Sequence, residues 1–474
     1  MPKFIHESFF EHSLEDLWKW YDSEEAFTRL TPEWEQIKAL QLGAIANGER
    51  TIFKLKMGPI PRKWIAEHYN VQERQTFDDI MVKGVFSKWD HKRTFSITKN
   101  GSMIRDQVEW KLPFHFLSKF TSPVTVMPRL KGMFRYRSDT VRSDLEKISL
   151  YSKNGKKRIL ISGSTGLIGT ELCAFLSSAG HQVVRLLRKS SKLPPYANNE
   201  SVIRWDDQTG EITSGSFENF DVVIHLAGAG IGDKRWSKSR KILIEKSRTI
   251  PTKMLAEKLA QCENKPEVLI SSSAIGWYGN RGNEVLTEKS IPKDGFLPKI
   301  CSQWEYATKP AKDSGIRVVN MRTGIIVTAK GGMLQKLLLP AKFGAFGPVG
   351  GGKQMQSWIS LNDMIYSIYH LINNKKCEGA FNITSPNPIN QKGFAKVLGK
   401  VLKRPAFAPL PGFVIKLLFG EMGKELILDG QHVVPEKLLE SGYEFVYPDL
   451  ESCFRHTLGK WNSINEIDNM EIMK

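Results

Sequence analysis

Residues Arg158 to Ser191 read RILISGSTGLIGTELCAFLSSAGHQVVRLLRKSS. An apolar run, Ile159 to Ile161, meets glycines at 163, 166 and 169, and a second apolar run follows Gly180. Strand, tight glycine turn, helix, strand is a context in which a helix start receives phosphate. The first-turn N–H groups have no acceptor inside the helix, and the helix dipole adds positive potential. Gly163 permits the turn, Gly166 lets the backbone approach a pyrophosphate, and Gly169 allows close helix–strand packing. The spacing G-x-x-G-x-x-G is one residue longer than the G-x-G-x-x-G fingerprint. We expect Gly163, Thr165, Gly166, Leu167, Ile168 and Gly169 to bind a dinucleotide.

The end of the second strand bears on which dinucleotide. An acid about 20 positions after the glycines would hold the ribose 2′-hydroxyl of NAD. Here the chain runs Arg185, Leu186, Leu187, Arg188, Lys189, Ser190, with no acid. Arg188 and Lys189 would attract a 2′-phosphate and Ser190 would hydrogen-bond it, which favours NADP(H). Three more buried-strand patterns follow in FDVVIHLAGAG, PEVLISSSAIGWYG and IRVVNMRTGIIV. Strands alternating with helices predict a doubly wound parallel α/β sheet of Rossmann type. Small residues where strands end leave room for a ligand, so Leu226, Ala227, Gly228 and Ser272 join the candidate cofactor site.

The first third has a different rhythm. Ser13 with Asp16 reads as a helix cap, and Leu14, Leu17, Trp18 and Tyr21 follow helical spacing. Then the period becomes two. Phe53, Leu55 and Met57 share one face in TIFKLKM; Ile104, Val108, Trp110 and Leu112 do so in MIRDQVEWKL. From Pro128 to Ile148 the helical period returns through Leu130, Met133, Phe134, Val141, Leu145 and Ile148. Strand, short helical region, run of strands and long last helix resembles the START-like (SRPBCC) helix-grip fold, an α+β domain. That resemblance implies an interior between sheet and helix that either holds an apolar ligand or is filled by side chains. The polar SKNGKKR, Ser152 to Arg158, reads as a linker.

Composition narrows the function classes. Apolar residues are 41% and charged residues 25%, ordinary for a globular chain. The net charge of +18 comes from lysines and arginines scattered along the chain and mixed with acids. No basic run interleaves with stacking aromatics, so we expect a small anionic ligand and no nucleic acid. The five cysteines are far apart and lack metal spacing, which predicts a reduced, cytoplasmic protein without a bound metal. The N-terminus has no leader pattern, and no apolar run approaches the ~20 residues of a membrane span, so membrane insertion is not expected.

From about Lys157 to Arg404 the chain resembles the extended short-chain dehydrogenase/reductase, or NAD-dependent epimerase/dehydratase, superfamily. The marks are the glycine motif, HLAG, SSSAIGWYG, MRTGIIV, WISLNDM and GAFNITSPNPINQKGFAKVLGKVLKRP. Within it, KRWSKSRKILIEKSRTIPT, CSQWE, GGKQMQSWI and LILDGQHVVPEKLLESGYEFVYPDLESC resemble an epimerase- and cell-division-inhibitor-like branch. That branch has a small C-terminal domain of unknown function. The expected division is therefore 1–152 START-like, 157–400 dinucleotide-binding, 401–457 C-terminal domain and 458–474 disordered tail.

The resemblance also implies a catalytic Tyr-x-x-x-Lys pair, and this sequence departs from it. With Glu305 as anchor, Leu297 stands in the tyrosine position and Cys301 in the lysine position. The substrate-polarising serine falls at Ser272 or Ser273, and Tyr278 is the best replacement acid, its alternative being a packed aromatic. Cys301 is read as a packing thiol rather than a nucleophile. Arg322 ends a strand on the substrate side, and Gln354, Trp358 and Asp363 flank a glycine-rich loop, with structural roles as plausible as substrate contacts. The readings left open are an NADP(H)-dependent oxidoreductase or epimerase using other groups, a non-catalytic NADPH sensor, and an apolar-ligand module in the first domain. Oligomeric state is not readable.

Overall fold

The computed structural model describes residues 2–56, 60–113, 126–194, 197 and 201–461. The alternating segments of the first third form one antiparallel sheet. Its strands are β1 (Lys3–Phe10), β2 (Ile37–Gln41), β3 (Arg50–Lys56), β4 (Pro61–Gln72), β5 (Thr76–Lys83), β6 (Lys88–Thr98) and β7 (Gly101–Lys111), in spatial order β1-β7-β6-β5-β4-β3-β2. Helices α1 (Leu14–Tyr21) and α2 (Ala26–Arg29) lie between β1 and β2 in sequence, and the long helix α3 (Met127–Ser149) follows β7. Ser13 caps α1 as expected, its Oγ accepting from the Asp16 N–H at 3.1 Å.

The inward face of β7 carries Ile104, Val108 and Trp110, and also Asp106, equally buried. Val108 and Trp110 pack with Phe4, Leu130 and Phe134; Ile104 packs with Phe77, Phe95, Val141 and Leu145. Phe53 and Leu55 are buried on β3; Met57 lies outside the described residues.

The second sheet has eight strands. They are β8 (Arg158–Ser162), β9 (Gln182–Arg188), β10 (Val202–Trp205), β11 (Ile212–Ser214), β12 (Val222–His225), β13 (Val268–Ala274), and, past the two-residue β14 (Val285–Leu286), β15 (Arg317–Thr323) and β16 (Gly379–Ile383). Their order is β11-β10-β9-β8-β12-β13-β15-β16, parallel except for β11 on β10. The order reverses at β8/β12, the point where doubly wound sheets leave a ligand crevice. Helices α4 (Leu167–Ser178), α5 (Lys238–Gln261), α6 (Phe296–Tyr306) and α7 (Leu361–Asn373) cover it. Ile159, Ile161 and Ile224 pack on the Leu172 and Ile365 side; Leu160, Val223 and Leu269 pack on the Leu255 and Leu259 side. Strands buried on both faces explain the continuous apolar runs in the sequence.

The two sheets are joined through a buried polar cluster. Arg29 of α2 is 1% exposed. It donates to both oxygens of Asp144 on α3 (2.6 and 3.0 Å), to Asn362 Oδ1 (3.1 Å) and to the Tyr366 hydroxyl (3.3 Å), and lies 3.5 Å from Glu171 on α4. Lys330 holds the other Glu171 oxygen at 2.5 Å. Buried Glu33 accepts from the Ala329 N–H at 3.1 Å.

The expected tail starts too early. Leu458 ends a helix and is buried, and Trp461 packs edge-on against Trp34. The rest of that segment lies outside the described residues. All five cysteines are buried and unpaired. Among the described residues no helix is long and apolar enough to cross a membrane, and no group of side chains has a metal-binding arrangement.

Candidate functional site

The glycine turn sits at the β8/β12 switch point. Gly163 has φ +70°, and a Cβ there would lie 2.8–3.0 Å from the backbone of Leu226 and Ala227. Only glycine allows these two strand ends to approach so closely. Gly166 caps α4, and its N–H bonds the Gly163 carbonyl at 2.9 Å. A Cβ on Gly169 would lie 2.2 Å from that carbonyl oxygen, so the helix is packed onto its own loop. Thr165 and Gly166 are exposed, Leu167 and Ile168 half-buried. The first bond back along this helix is from Thr170 N–H to the Gly166 carbonyl, which leaves the N–H groups of Leu167, Ile168 and Gly169 for another acceptor. Leu226 and Ala227 are half-buried beside the turn and Gly228 is exposed. The residues brought together fit the phosphates of a dinucleotide.

The loop is buttressed from the first domain, which the sequence did not reveal. Arg185 on β9 donates to the Ser164 carbonyl in the glycine turn at 3.2 Å, and its other end pairs with Glu25, just before α2. Both side chains are buried.

At the end of β9, Arg188 is exposed, and Lys189 is paired with Asp206 at 2.5 Å. The acid absent from the β9 end is thus supplied one strand over, just past β10. It engages Lys189, while Arg188 is exposed and has no ion-pair partner among the described residues.

The second half of the site lies at the ends of β13 and β15. Ser272 is half-buried; Ser273 is buried and donates to Glu305 at 2.7 Å. Glu305 on α6 also takes two bonds from Arg322 of β15, at 2.8 and 3.0 Å. Arg322 lies flat over Trp277, its central carbon 3.8 Å from the ring centre. Burial disfavours the Arg322 charge, but Glu305 outweighs it and the pKa is raised. Tyr278 is 0% exposed; its hydroxyl donates to Asn382 at 2.7 Å and accepts from Arg322 at 3.1 Å. Burial raises its pKa, against the opposing pull of Arg322. Tyr278, the expected replacement acid, thus has its hydroxyl hydrogen-bonded to Asn382 and Arg322, and its ring packs with Ile275, Leu286 and Val433.

Leu297 and Cys301 both face Gly276, just past β13, at 3.2 and 3.6 Å from where its Cβ would be. Both are buried, and burial pushes the Cys301 thiol up to about 12. A thiol with that pKa carries no nucleophilic thiolate. Of the loop residues, Gln354 binds the carbonyls of Val349 and Ile427, and Trp358 is buried with its N–H on Asn387. Asp363 is buried and accepts from Val446, Tyr447 and Tyr443. These are structural roles. They tie α7 and its approach to the C-terminal segment.

A cavity of about 400 Å3 lies in the first domain between the sheet, α2 and α3. Phe27, Leu55, Trp64, Phe77, Phe86 and Leu130 are among its walls. Its volume is in the range of small-molecule sites.

Residues 159–384 match the NAD dependent epimerase/dehydratase family, and residues 410–457 match a domain of unknown function (DUF1731). The chain is 35% identical over 287 residues to the epimerase family protein Mb2239 of Mycobacterium bovis, covering 60% of this chain and 93% of that protein. It is 34% identical over 294 residues to the epimerase family protein YfhF of Bacillus subtilis, covering 62% and 95%. Among solved structures, a nucleoside-diphosphate sugar epimerase from Corynebacterium glutamicum is 30% identical with a TM-score of 0.79, covering 100% of this chain and 93% of that one. The human epimerase family protein SDR39U1 (isoform 2), solved with NADPH, is 28% identical with a TM-score of 0.58, covering 63% and 98%.

Proposed function

The chain belongs to the NAD dependent epimerase/dehydratase family, and from that premise we propose that it is an NADP(H)-binding oxidoreductase or epimerase acting on a hydroxyl-bearing small molecule. The carrying observation is the glycine turn pressed onto Leu226 and Ala227, with the first-turn N–H groups of α4 following it and Arg188 at the end of the adjoining strand β9. Thr165 and the N–H groups of Leu167, Ile168 and Gly169 would take the pyrophosphate. Arg188 would take the 2′-phosphate, with Lys189 sharing its charge between that group and Asp206. The human neighbour was solved with NADPH bound. Bound nicotinamide supplies or accepts hydride.

What the chain's own residues do follows from the Ser273 hydrogen bond. Arg322 pairs with Glu305, Glu305 accepts the Ser273 O–H hydrogen bond, and the Ser273 oxygen is left as an acceptor. An acceptor orients a substrate O–H; it does not polarise a carbonyl. Ser273 therefore reads as a substrate-orienting residue and Ser272 as a wall of the cofactor site. A nucleoside-diphosphate sugar, the substrate class named for the bacterial neighbour, carries such hydroxyls.

One observation favours a non-catalytic sensor instead: Leu297, Cys301 and the committed Tyr278 leave no proton donor in the usual place. NADP+ reduction and NADPH oxidation should be followed against a panel of nucleotide sugars, alcohols and carbonyls, in wild type and Ser273→Ala. Turnover lowered at least tenfold by Ser273→Ala supports the enzyme reading; tight NADPH binding without turnover on any member supports the sensor.

The first 152 residues we read as a START-like domain, supported by the antiparallel sheet closing on α3, and the cavity between them as a site for an apolar ligand. The unpaired cysteines agree with a cytoplasmic setting.

A further inference from the structure

The chemistry of the first domain's cavity can be taken further, resting on the reading that it holds a ligand. Apolar walls alone would accept any hydrocarbon of fitting size. This cavity also has charged walls: Glu24, Glu35, Asp79, His91, Arg93, Arg129 and Arg137 are among its lining residues. Most of these charges cancel. Arg93 donates to Asp106 at 2.8 Å, and His91 bridges Asp106 and Asp79 at 2.8 and 3.2 Å. Arg129 grips Glu35 with two bonds. His68, another lining residue, is held neutral, its pKa lowered chiefly by burial.

Arg137 is the remaining cation, and Glu24, the remaining acid, is exposed to solvent. Arg137 projects from α3, half-buried, with its Nε donating to the Leu30 carbonyl at 3.2 Å. The centre of its guanidinium lies 5.2 Å from the Phe134 ring centre. Among the described residues, no carboxylate lies within ion-pair distance of it. Burial, then the neighbouring Arg93, push its pKa down. A desolvated guanidinium without a counter-ion is unfavourable, and an arriving anion removes the penalty. With Nε occupied, the two Nη groups remain, and they suit an end-on carboxylate. One free guanidinium with Asp79 nearby matches a single negative charge better than a phosphate.

We propose that this cavity binds a small amphipathic monoanion, its apolar body among Phe27, Trp64, Phe77 and Phe86 and its carboxylate on the Nη groups of Arg137. The domain thereby distinguishes an acid from the alcohol of the same chain length.

The test is calorimetric titration of the full chain with decanoate, 1-decanol and decyltrimethylammonium, in wild type, Arg137→Met and Arg137→Lys. Decanoate should bind at least tenfold more tightly than decanol, and the cation should not bind measurably. Arg137→Met should bring decanoate to the level of decanol, while Arg137→Lys keeps a preference for the acid. If decanol binds as tightly as decanoate in wild type, the cavity reading stands and the anion assignment falls. If Arg137→Met leaves the acid preference intact, decanoate is held elsewhere on this basic chain and the assignment also falls. If none of the probes binds, the cavity reading itself falls, and this inference with it.

Discussion

Replacing Arg29 with Met tests the joint between the two sheets. The side chain keeps an unbranched apolar stem and loses the guanidinium with its charge. Asp144, 0% exposed, would then keep only the Trp20 N–H at 3.3 Å and the Tyr366 hydroxyl at 2.6 Å. Asn362 and Glu171 would each lose a donor, although Glu171 retains Lys330. Removing one member of a buried pair costs about 3–5 kcal/mol, because the survivor's charge stays desolvated. Neutralising that survivor should recover part of the loss, so Arg29→Met/Asp144→Asn should be more stable than the sum of the single changes by at least ~1 kcal/mol. Urea unfolding followed by tryptophan fluorescence reads both quantities through the midpoint at constant slope. A loss below ~1 kcal/mol for Arg29→Met, or strict additivity in the double variant, would refute the reasoning.

Three further outcomes follow from named geometry. Gly163→Ala places a side chain at φ +70° and within 3.0 Å of the Leu226 backbone, so it should cost at least ~1–2 kcal/mol and weaken dinucleotide binding more than tenfold by titration. Burial raises Glu33 from 4.5 to about 7 against the opposing pull of Lys330. A raised acid is stabilising below its unfolded pKa, and that contribution is lost as pH rises through the folded value. Glu33→Gln should therefore gain about 3 kcal/mol relative to wild type between pH ~4.5 and ~7, read from unfolding midpoints across that range; parallel curves would contradict it. Cys301, with its thiol pushed up to about 12, should resist iodoacetamide at neutral pH until the chain unfolds; labelling of the folded protein, located by peptide mass, would contradict its packing role.

Legibility from sequence followed locality. The glycine turn, the alternating strands and the Ser13 cap depend on residues within a few positions of one another, and periodicity carries them. The pairs that position the site do not. Arg29 meets Asp144 and Tyr366 at separations of 115 and 337 residues. No local pattern announces such a contact, and an arginine on a short helix reads as surface. Asp106 breaks the apolar face of β7 and reads as an exception until His91 and Arg93 are seen opposite it. Asp206 was missed because an acid was sought on β9, whereas the strand pairing brings it from beyond β10. The partner of Tyr278 is hidden from the sequence for a related reason. Sequence places a tyrosine near the serines but not on which side of the turn its hydroxyl ends, and Asn382, over 100 residues away, decides that. The missing Tyr-x-x-x-Lys pair was legible, and Leu297 and Cys301 packed on Gly276 show apolar contact in its place.

The central claim is that the glycine turn and Arg188 together hold NADP(H). Calorimetric titration of the full chain with NADPH and NADH, in wild type and Arg188→Ala, tests it most directly. The account predicts NADPH tighter than NADH in wild type, and a loss of about 1–3 kcal/mol for NADPH alone in the variant, the scale of a charged hydrogen bond. NADH binding equal to or tighter than NADPH, or an Arg188→Ala variant that weakens both equally, would contradict it.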